Sequence, residues 1–462
     1  MAKVLLIAPN QDILKKEANK RVDSPLNLIF LATFIKDKHQ VKIYDRNIYP
    51  NDEDFKNFFL NYSPDIVGIT SMTSLMLHDL IHIGKLVKAL NKNVTTIVGG
   101  THATIEPKSL LNEPYVDFVL RGEGEEAFLE FCDTFDRDKA KLKKLKNINL
   151  NPLRPLMNLD DIKLPDYSFI ELEKYEHFYV TLSRGCIGNC TFCSNHKMWG
   201  KDDHPFVRMF SSEKAIQLFN LLIHKYKIKN FSLMDDNFVT FRSRVKEICN
   251  YLQGKDMNFF CFGRADCLDD EMVQYLKKAG CHTVQIGIES GSQRILDFLC
   301  KKTTVKQNAD AIRCVERNGL TCDPSVMVGV PTETAEDLNR TFELIRRTKP
   351  SCTDAQIFNP MPGTPIFEYC LEKKLITKPK TLEEWANWTG DWTLEAGVNH
   401  NVSAVSDKYL LEITKEIRDY RILQNKIKRF LFWVKKGDVR QAIQSSILFF
   451  KRRILRYSEY SS

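Results

Sequence analysis

At 462 residues the chain is too long for one compact core, which excludes a small single domain and points to two or three. With 43% apolar and 27% charged residues, thirteen cysteines, no secretory leader in Met1-Ala2-Lys3-Val4-Leu5-Leu6 and no apolar run of roughly 18 residues, it reads as a globular protein of a reducing cytosol. A disulfide framework and a membrane span are both excluded on those grounds. The net charge of +8 is uneven: Arg421 to Arg456 hold eleven Lys or Arg and one acid, Asp438, leaving 56 basic against 58 acidic residues elsewhere.

Residues 1–135 alternate strand and helix patterns. Val4–Ala8 reads as a buried strand, Leu26–Lys36 as a helix, Val41–Tyr44 as a strand and Asp54–Leu60 as a helix. Asp65–Thr70 is the next strand, Leu77–Leu90 a helix, Thr95–Val98 a strand into Gly99-Gly100, and Val116–Leu120 a strand into Gly122-Glu123-Gly124-Glu125. A helix over Glu126–Phe135 closes the series. Such units build a doubly wound parallel sheet, Rossmann- or flavodoxin-like, with ligands outside the carboxyl ends of the strands. No G-x-G-x-x-G follows the first strand, so dinucleotide binding is not indicated. Residues 136–175 form a linker, with a Lys-rich run over 138–146, then Pro152, Pro155 and Pro165, and room for a small hairpin.

The run Tyr179–Cys193 is the chemical centre of the sequence. A β-prone segment enters a loop carrying Cys186, Cys190 and Cys193 in the spacing C-x-x-x-C-x-x-C. Three thiolates in one loop suit an iron–sulfur cluster or zinc, but structural zinc normally takes four protein ligands and no fourth stands at finger spacing. The same spacing also marks one face of a helix, where the cysteines would be core; Gly185, Gly188 and Asn189 argue for a loop instead. The other ten cysteines show no paired spacing, so no second cluster is expected.

Beyond it the β/α alternation resumes. Phe231–Met234 ends in Asp235-Asp236-Asn237, Asn258–Cys261 in Gly263-Arg264, Thr283–Ile288 in Glu289-Ser290, Ser325–Val330 carries Gly329, and Ala355–Phe358 ends in Asn359-Pro360. With the cysteine strand these make six units over residues 176–370, a partial, open-sided (β/α)6 barrel of TIM type with polar groups on its carboxyl rim. The remainder, 371–462, loses this rhythm. Trp385, Trp388, Trp392 and His400 read first as packing of a C-terminal subdomain and second as a substrate mouth.

The cysteine loop, with Phe192 before its last cysteine, resembles that of the radical S-adenosylmethionine (SAM) superfamily, whose open iron binds SAM and cleaves it reductively to a 5′-deoxyadenosyl radical. Val98-Gly99-Gly100-Thr101-His102-Ala103-Thr104, the Ser71, Thr73 and Ser74 loop, and Gly122-Glu123-Gly124 resemble the cobalamin-binding domain often fused before such a barrel. The D-x-H-x-x-G signature is absent, so the resemblance implies cobalamin without a histidine lower ligand. It also implies that Asp235 and Asp236 orient the SAM amino group, that Arg264 and Glu289 lie near its carboxylate and ribose, and that Gly329 passes its adenine. Asp235 and the neighbouring acids also read as helix N-caps or first-turn charges.

The expected function is therefore that of a cobalamin-dependent radical SAM enzyme acting on an unactivated carbon of a small or lipid-like molecule, by C-methylation foremost. The enzymatic alternative is ring closure or oxidation without methylation, as in anaerobic porphyrin-ring cyclases; the non-enzymatic one, a cobalamin sensor, has no use for an open cluster. A tRNA methylthiolating enzyme is disfavoured because no cysteine precedes Cys132. An external flavodoxin- or ferredoxin-like electron donor is implied. In the tail, Leu423, Ile427, Phe430 and Val434, then Val439, Ile443, Ile447, Phe450 and Ile454, form apolar stripes beside basic residues. They read either as barrel-packing helices or as a peripheral contact with an anionic membrane, rather than as a nucleic-acid surface.

Overall fold

The computed structural model describes residues 1–11, 22–199, 206–389 and 397–418. The basic stripes of the tail and Trp392 lie outside the described residues. Two parallel sheets organise the chain. The first comprises β1 (Lys3–Ala8), β2 (Gln40–Asp45), β3 (Ile66–Ser71), β4 (Thr95–Gly100) and β5 (Phe118–Val119), in the order β2-β1-β3-β4-β5. Every pairing in it is parallel. This is the flavodoxin-like order, whose switch point lies between β1 and β3.

The central strands β1 and β3 are buried along nearly their whole length because both faces are covered, whereas the edge strand β2 alternates exposed and covered residues. On β1, Val4, Leu6 and Ala8 face one core with the helices Leu26–Ile35 and Glu125–Arg137. Leu5 and Ile7 face the other, with Asp52–Tyr62 and Met76–Leu90. The latter core also takes in Phe367, Trp385 and Trp388 from the C-terminal region. The tryptophans are thus packing residues, and the helix Leu382–Ala386 clamps the first sheet from outside.

The second sheet runs in strict sequence order: β6 (Phe178–Val180), β9 (Asn230–Leu233), β10 (Asn258–Gly263), β11 (Cys281–Glu289), β12 (Thr321–Val328) and β13 (Asp354–Ile357). All its pairings are parallel, giving the six expected units. Between β6 and β9 a two-stranded antiparallel ribbon, β7 (Ser183–Arg184) with β8 (Arg208–Met209), spans the base of the cysteine loop. The apolar core beneath the barrel is continuous with that of the first sheet, running from Val4 and Phe128 through Val180 to Ile288 and Ile417.

The linker contains 3-10 turns at Lys139–Lys144, Leu159–Asp161, Tyr167–Phe169 and Leu172–Lys174. The expected hairpin is absent among the described residues; a single bridge, Leu120 to Ile148, takes its place. Its prolines remove backbone donors that a ladder would need.

Candidate functional site

The cysteine loop is held from its base. Gly185 has φ +98°, and a Cβ there would lie 1.9 Å from the Phe206 carbonyl oxygen, so only glycine passes. Asp236 accepts the Gly185 N–H at 3.1 Å. Asp235 is completely buried and accepts the N–H groups of Leu182 at 2.6 Å and Ser183 at 3.1 Å, while Arg244 donates to the Leu182 carbonyl. Burial raises the carboxyl of Asp235, with Arg244 opposing. Asp235 therefore bolts the loop's approach strand to the barrel. Its Oδ1 takes both of these backbone groups, while its Oδ2, also buried, has no partner among the described residues. Consecutive strand-end residues point to opposite sides, and Asp236 is the one that reaches the open crevice.

Cys186, Cys190 and Cys193 line the loop as free thiols. The Gly188 N–H points at Cys186 Sγ, 3.4 Å away. A Cβ on Gly188 would stand 3.6 Å from both Cys186 Sγ and Cys190 Sγ and 2.9 Å from Arg264 Nη1, so the glycine keeps the space between them open. Burial pushes the Cys193 thiol up to about 12 and raises Cys190 as well. No three His, Cys, Asp or Glu side chains among the described residues converge tightly enough for a single ion. Two of the thiols, Cys186 and Cys190, flank the space that Gly188 leaves, and with Cys193 in the same loop the donor set fits a cubane cluster, whose irons are each held by a separate cysteine.

Around the thiols stands a ring of paired charges. Arg264 forks onto Asp266 at 2.9 and 3.0 Å and donates to the Lys301 carbonyl. Lys301 Nζ meets Glu289 Oε1 at 2.7 Å, both side chains buried, and lies over the Phe192 ring. Glu289 has φ +63°, a left-handed turn at the end of β11 that swings its carboxylate toward the rim. Gly329, φ +92°, gives its N–H to Glu333 at 2.7 Å, and Leu410 of the helix over 407–418 covers the place of a Cβ.

Facing the loop, the strand ends of the first sheet open a crevice of about 550 Å³. Ser71, Gly99, Gly100, Gly122, Glu123 and Gly124 line one wall, and Thr181, Arg184, Trp199 and Asp236 the other. Its floor descends between Leu6, Gly68, Ile97 and Phe128. A Cβ on Gly68 would lie 2.8 Å from Leu6 and one on Gly124 2.9 Å from Leu31, so glycines keep the slot clear. The size, the mostly apolar floor and the backbone-lined rim fit a large planar cofactor with an apolar appendage.

Three expected cobalamin residues stand behind this wall. His102 is wholly buried: Thr73 Oγ1 lies 2.8 Å from Nδ1, Ser109 Oγ 2.9 Å from Nε2, and Trp385 packs edge-on. Burial holds its imidazole neutral, down to about 3. With both ring nitrogens engaged, His102 is a strut of the sheet, as is Thr73. Thr104 ties the two glycine turns, donating to Gly100 O and accepting from Gly122 N. Glu123 borders the crevice, yet its carboxylate is taken by Arg184, Arg208 and the Met157 N–H.

Lys301, Arg184 and Arg208 escaped sequence reading. Lys301 follows Glu289 by twelve residues with no motif, and Arg208 stands in none. The one usable signal was Arg184 immediately before Gly185-Cys186.

Residues 180–345 match the radical SAM superfamily and residues 23–131 the B12 binding domain. The chain is 32% identical over 391 residues to an uncharacterized methyltransferase of Pyrococcus horikoshii, covering 81% of this chain and 84% of the other. It is 26% identical over 371 residues to the anaerobic magnesium-protoporphyrin IX monomethyl ester cyclase of Rubrivivax gelatinosus, covering 74% and 66%. In fold it is similar to the radical SAM methyltransferase TsrM of Kitasatospora setae, with a TM-score of 0.67 at 16% identity over 82% of this chain and 78% of that one.

Proposed function

This chain belongs to the radical SAM superfamily, in its cobalamin-dependent branch, and from that premise we propose that it methylates an unactivated carbon of a small or lipid-like molecule. The family's chemistry requires a 4Fe–4S cluster, SAM, cobalamin and an external reductant; when bound, these supply a carbon-centred substrate radical and the methyl group it accepts. The observation that carries the reading is the crevice itself: across it the glycine-lined ends of the first sheet face Thr181, Arg184, Trp199 and Asp236, the residues that flank and hold the three-cysteine loop.

In this reading Cys186, Cys190 and Cys193 hold the cluster. Asp236, Arg264 and the Glu289–Lys301 pair present both signs of charge for a zwitterionic amino acid beside it. Ser71, Gly99, Gly100, Gly122 and Gly124 offer backbone and small side chains to a corrin edge. Arg264 and Lys301 are already neutralised by carboxylates, which keeps them ordered before a ligand arrives and lowers the cost of binding. A flavodoxin- or ferredoxin-like protein serves as donor. The membrane role of the basic tail rests on its sequence pattern alone; among the described residues no helix is long and apolar enough to cross a membrane.

The test is anaerobic reconstitution followed by incubation of cell extract with methyl-labelled SAM and mass spectrometry. A product gaining one labelled methyl group is expected, absent when the three cysteines are changed to Ala. The similarity to the cyclase motivates one alternative, ring closure or oxidation. It would appear as a product that loses hydrogen and gains no label.

A further inference from the structure

The ribbon at the base of the cysteine loop contains an arrangement that cannot stand alone. In the β7–β8 register Arg184 lies directly opposite Arg208. Like charges facing one another across a strand pair are destabilising, and these side chains are only 12% and 9% exposed. What neutralises them comes from the other sheet. Arg184 Nη1 donates to Glu123 Oε1 at 2.6 Å, and its Nη2 bonds Glu125. Arg208 Nη1 sits 2.9 Å from Glu123 Oε1 and donates to the Met157 carbonyl at 2.6 Å. Glu123 and Glu125 are 7% and 5% exposed, so four buried charges sum to zero across the seam. The Arg184 guanidinium is further sandwiched between Phe30 and Trp199, at 5.8 and 5.3 Å from their ring centres.

This quartet occupies a particular place. Glu123 and Glu125 alternate with Gly122 and Gly124 at the crevice wall, and Arg184 immediately precedes Gly185 and Cys186. Removing one partner of a buried ion pair leaves the other charge uncompensated, so each loop depends on the other for its neutrality. We infer that Arg184, Arg208, Glu123 and Glu125 form an ionic lock that fixes the cysteine loop relative to the glycine-lined crevice. They are positioning residues that set the separation and orientation of the two cofactor centres, an inference that rests on the cofactor assignment above. The lock makes the cluster environment responsive to what fills the crevice: a ligand pressing on Gly122 to Gly124 moves carboxylates bonded to the residue next to Gly185.

The experiment uses full-length protein reconstituted anaerobically with iron, sulfide and hydroxocobalamin, then reduced. Low-temperature electron paramagnetic resonance reads the reduced cluster, Co(II), and the magnetic interaction between them. Wild-type protein is expected to show a defined interaction, and a cluster line shape that changes on adding cobalamin. Arg184→Gln and Glu125→Gln are expected to lose the defined interaction and the cobalamin-dependent change. Arg184→Lys, which keeps the charge, is expected to recover part of both. A remote surface substitution, Arg317→Gln at the Asp270 pair, leaves both as in wild type. If one neutral variant is insoluble, the other together with Arg184→Lys decides. Variants indistinguishable from wild type in line shape and interaction overturn the lock alone. Wild-type protein that takes up neither centre overturns the cofactor assignment as well.

Discussion

Glu333 sits at the end of β12, fully buried, with Oε2 accepting the N–H groups of Gly329 and Val330 and Oε1 without a partner among the described residues. Burial lifts its carboxyl from 4.5 to about 8, the two backbone bonds opposing. The folded protein therefore retains a proton that the unfolded chain releases. This contribution to stability is fully present below pH 4.5, falls as pH rises, and is lost above pH 8. The slope is at most about 1.4 kcal/mol per pH unit. Glu333→Gln keeps an acceptor for both N–H groups and cannot ionise. Its thermal midpoint relative to wild type is expected to rise between pH 5 and pH 8; a constant difference contradicts the assignment. Residue types and strand-end placement were legible here, but side-chain direction was not. Asp235 and Asp236 are adjacent and identical, and only the packing of Leu182 and Ser183 on β9 decides which one serves the backbone. His102 follows a glycine turn that does line the crevice, yet Thr73 and Ser109 draw its ring inward.

Strands and helices were more legible than the devices that join them. The six barrel strands follow one another in sequence and in space, and β10, β11 and β12 alternate buried with less buried residues, a period of two that marks one packed face per strand. The β7–β8 ribbon has two residues per strand and is closed across the cysteine loop, too little for any periodicity to register. Its dependence on Gly185 gives an expectation that cysteine chemistry alone does not. Gly185→Ala should lose the cluster, read as iron content and visible absorbance, with all three cysteines present, because the Phe206 carbonyl occupies the methyl position. Retention of a full complement of iron would show that the ribbon is dispensable. The helix Leu382–Ala386 makes a second junction. Trp385 is 1% exposed and packs on Phe367, Trp388 and His102, against Met76–Leu90. Trp385→Ala is expected to cost about 3–5 kcal/mol, measured by chemical denaturation. A loss below about 1 kcal/mol, the level of ordinary surface substitutions, would mean that the clamp is loose.

At the scale of the molecule, the two sheets share a core on one side and a crevice on the other, so a ligand in the crevice stabilises the pair together. Binding to the folded state alone adds RT ln(1 + [L]/Kd), about 2.7 kcal/mol at a hundredfold excess over Kd. Hydroxocobalamin should therefore raise the denaturation midpoint of the whole chain. The position that separates binding from folding is Gly99. It shares the crevice face of β4 with Ile97, and a Cβ there meets Leu120 at an ordinary 3.7 Å. Its φ is not positive, so a side chain is tolerated by the backbone, whereas at Gly100 (φ +103°) a Cβ would strike the Ser71 carbonyl at 2.4 Å. In Gly99→Leu the added side chain extends into the space assigned to cobalamin. The cofactor-free midpoint is expected to stay close to wild type while the cobalamin-induced rise disappears. An undiminished rise in Gly99→Leu would locate cobalamin elsewhere. Loss of the cofactor-free midpoint instead would make Gly99 a packing residue of the sheet. Either outcome bears on how the seam works, because the wall that Gly99 lines continues through Gly122 to Glu125 and from there, through Arg184, to the cysteines.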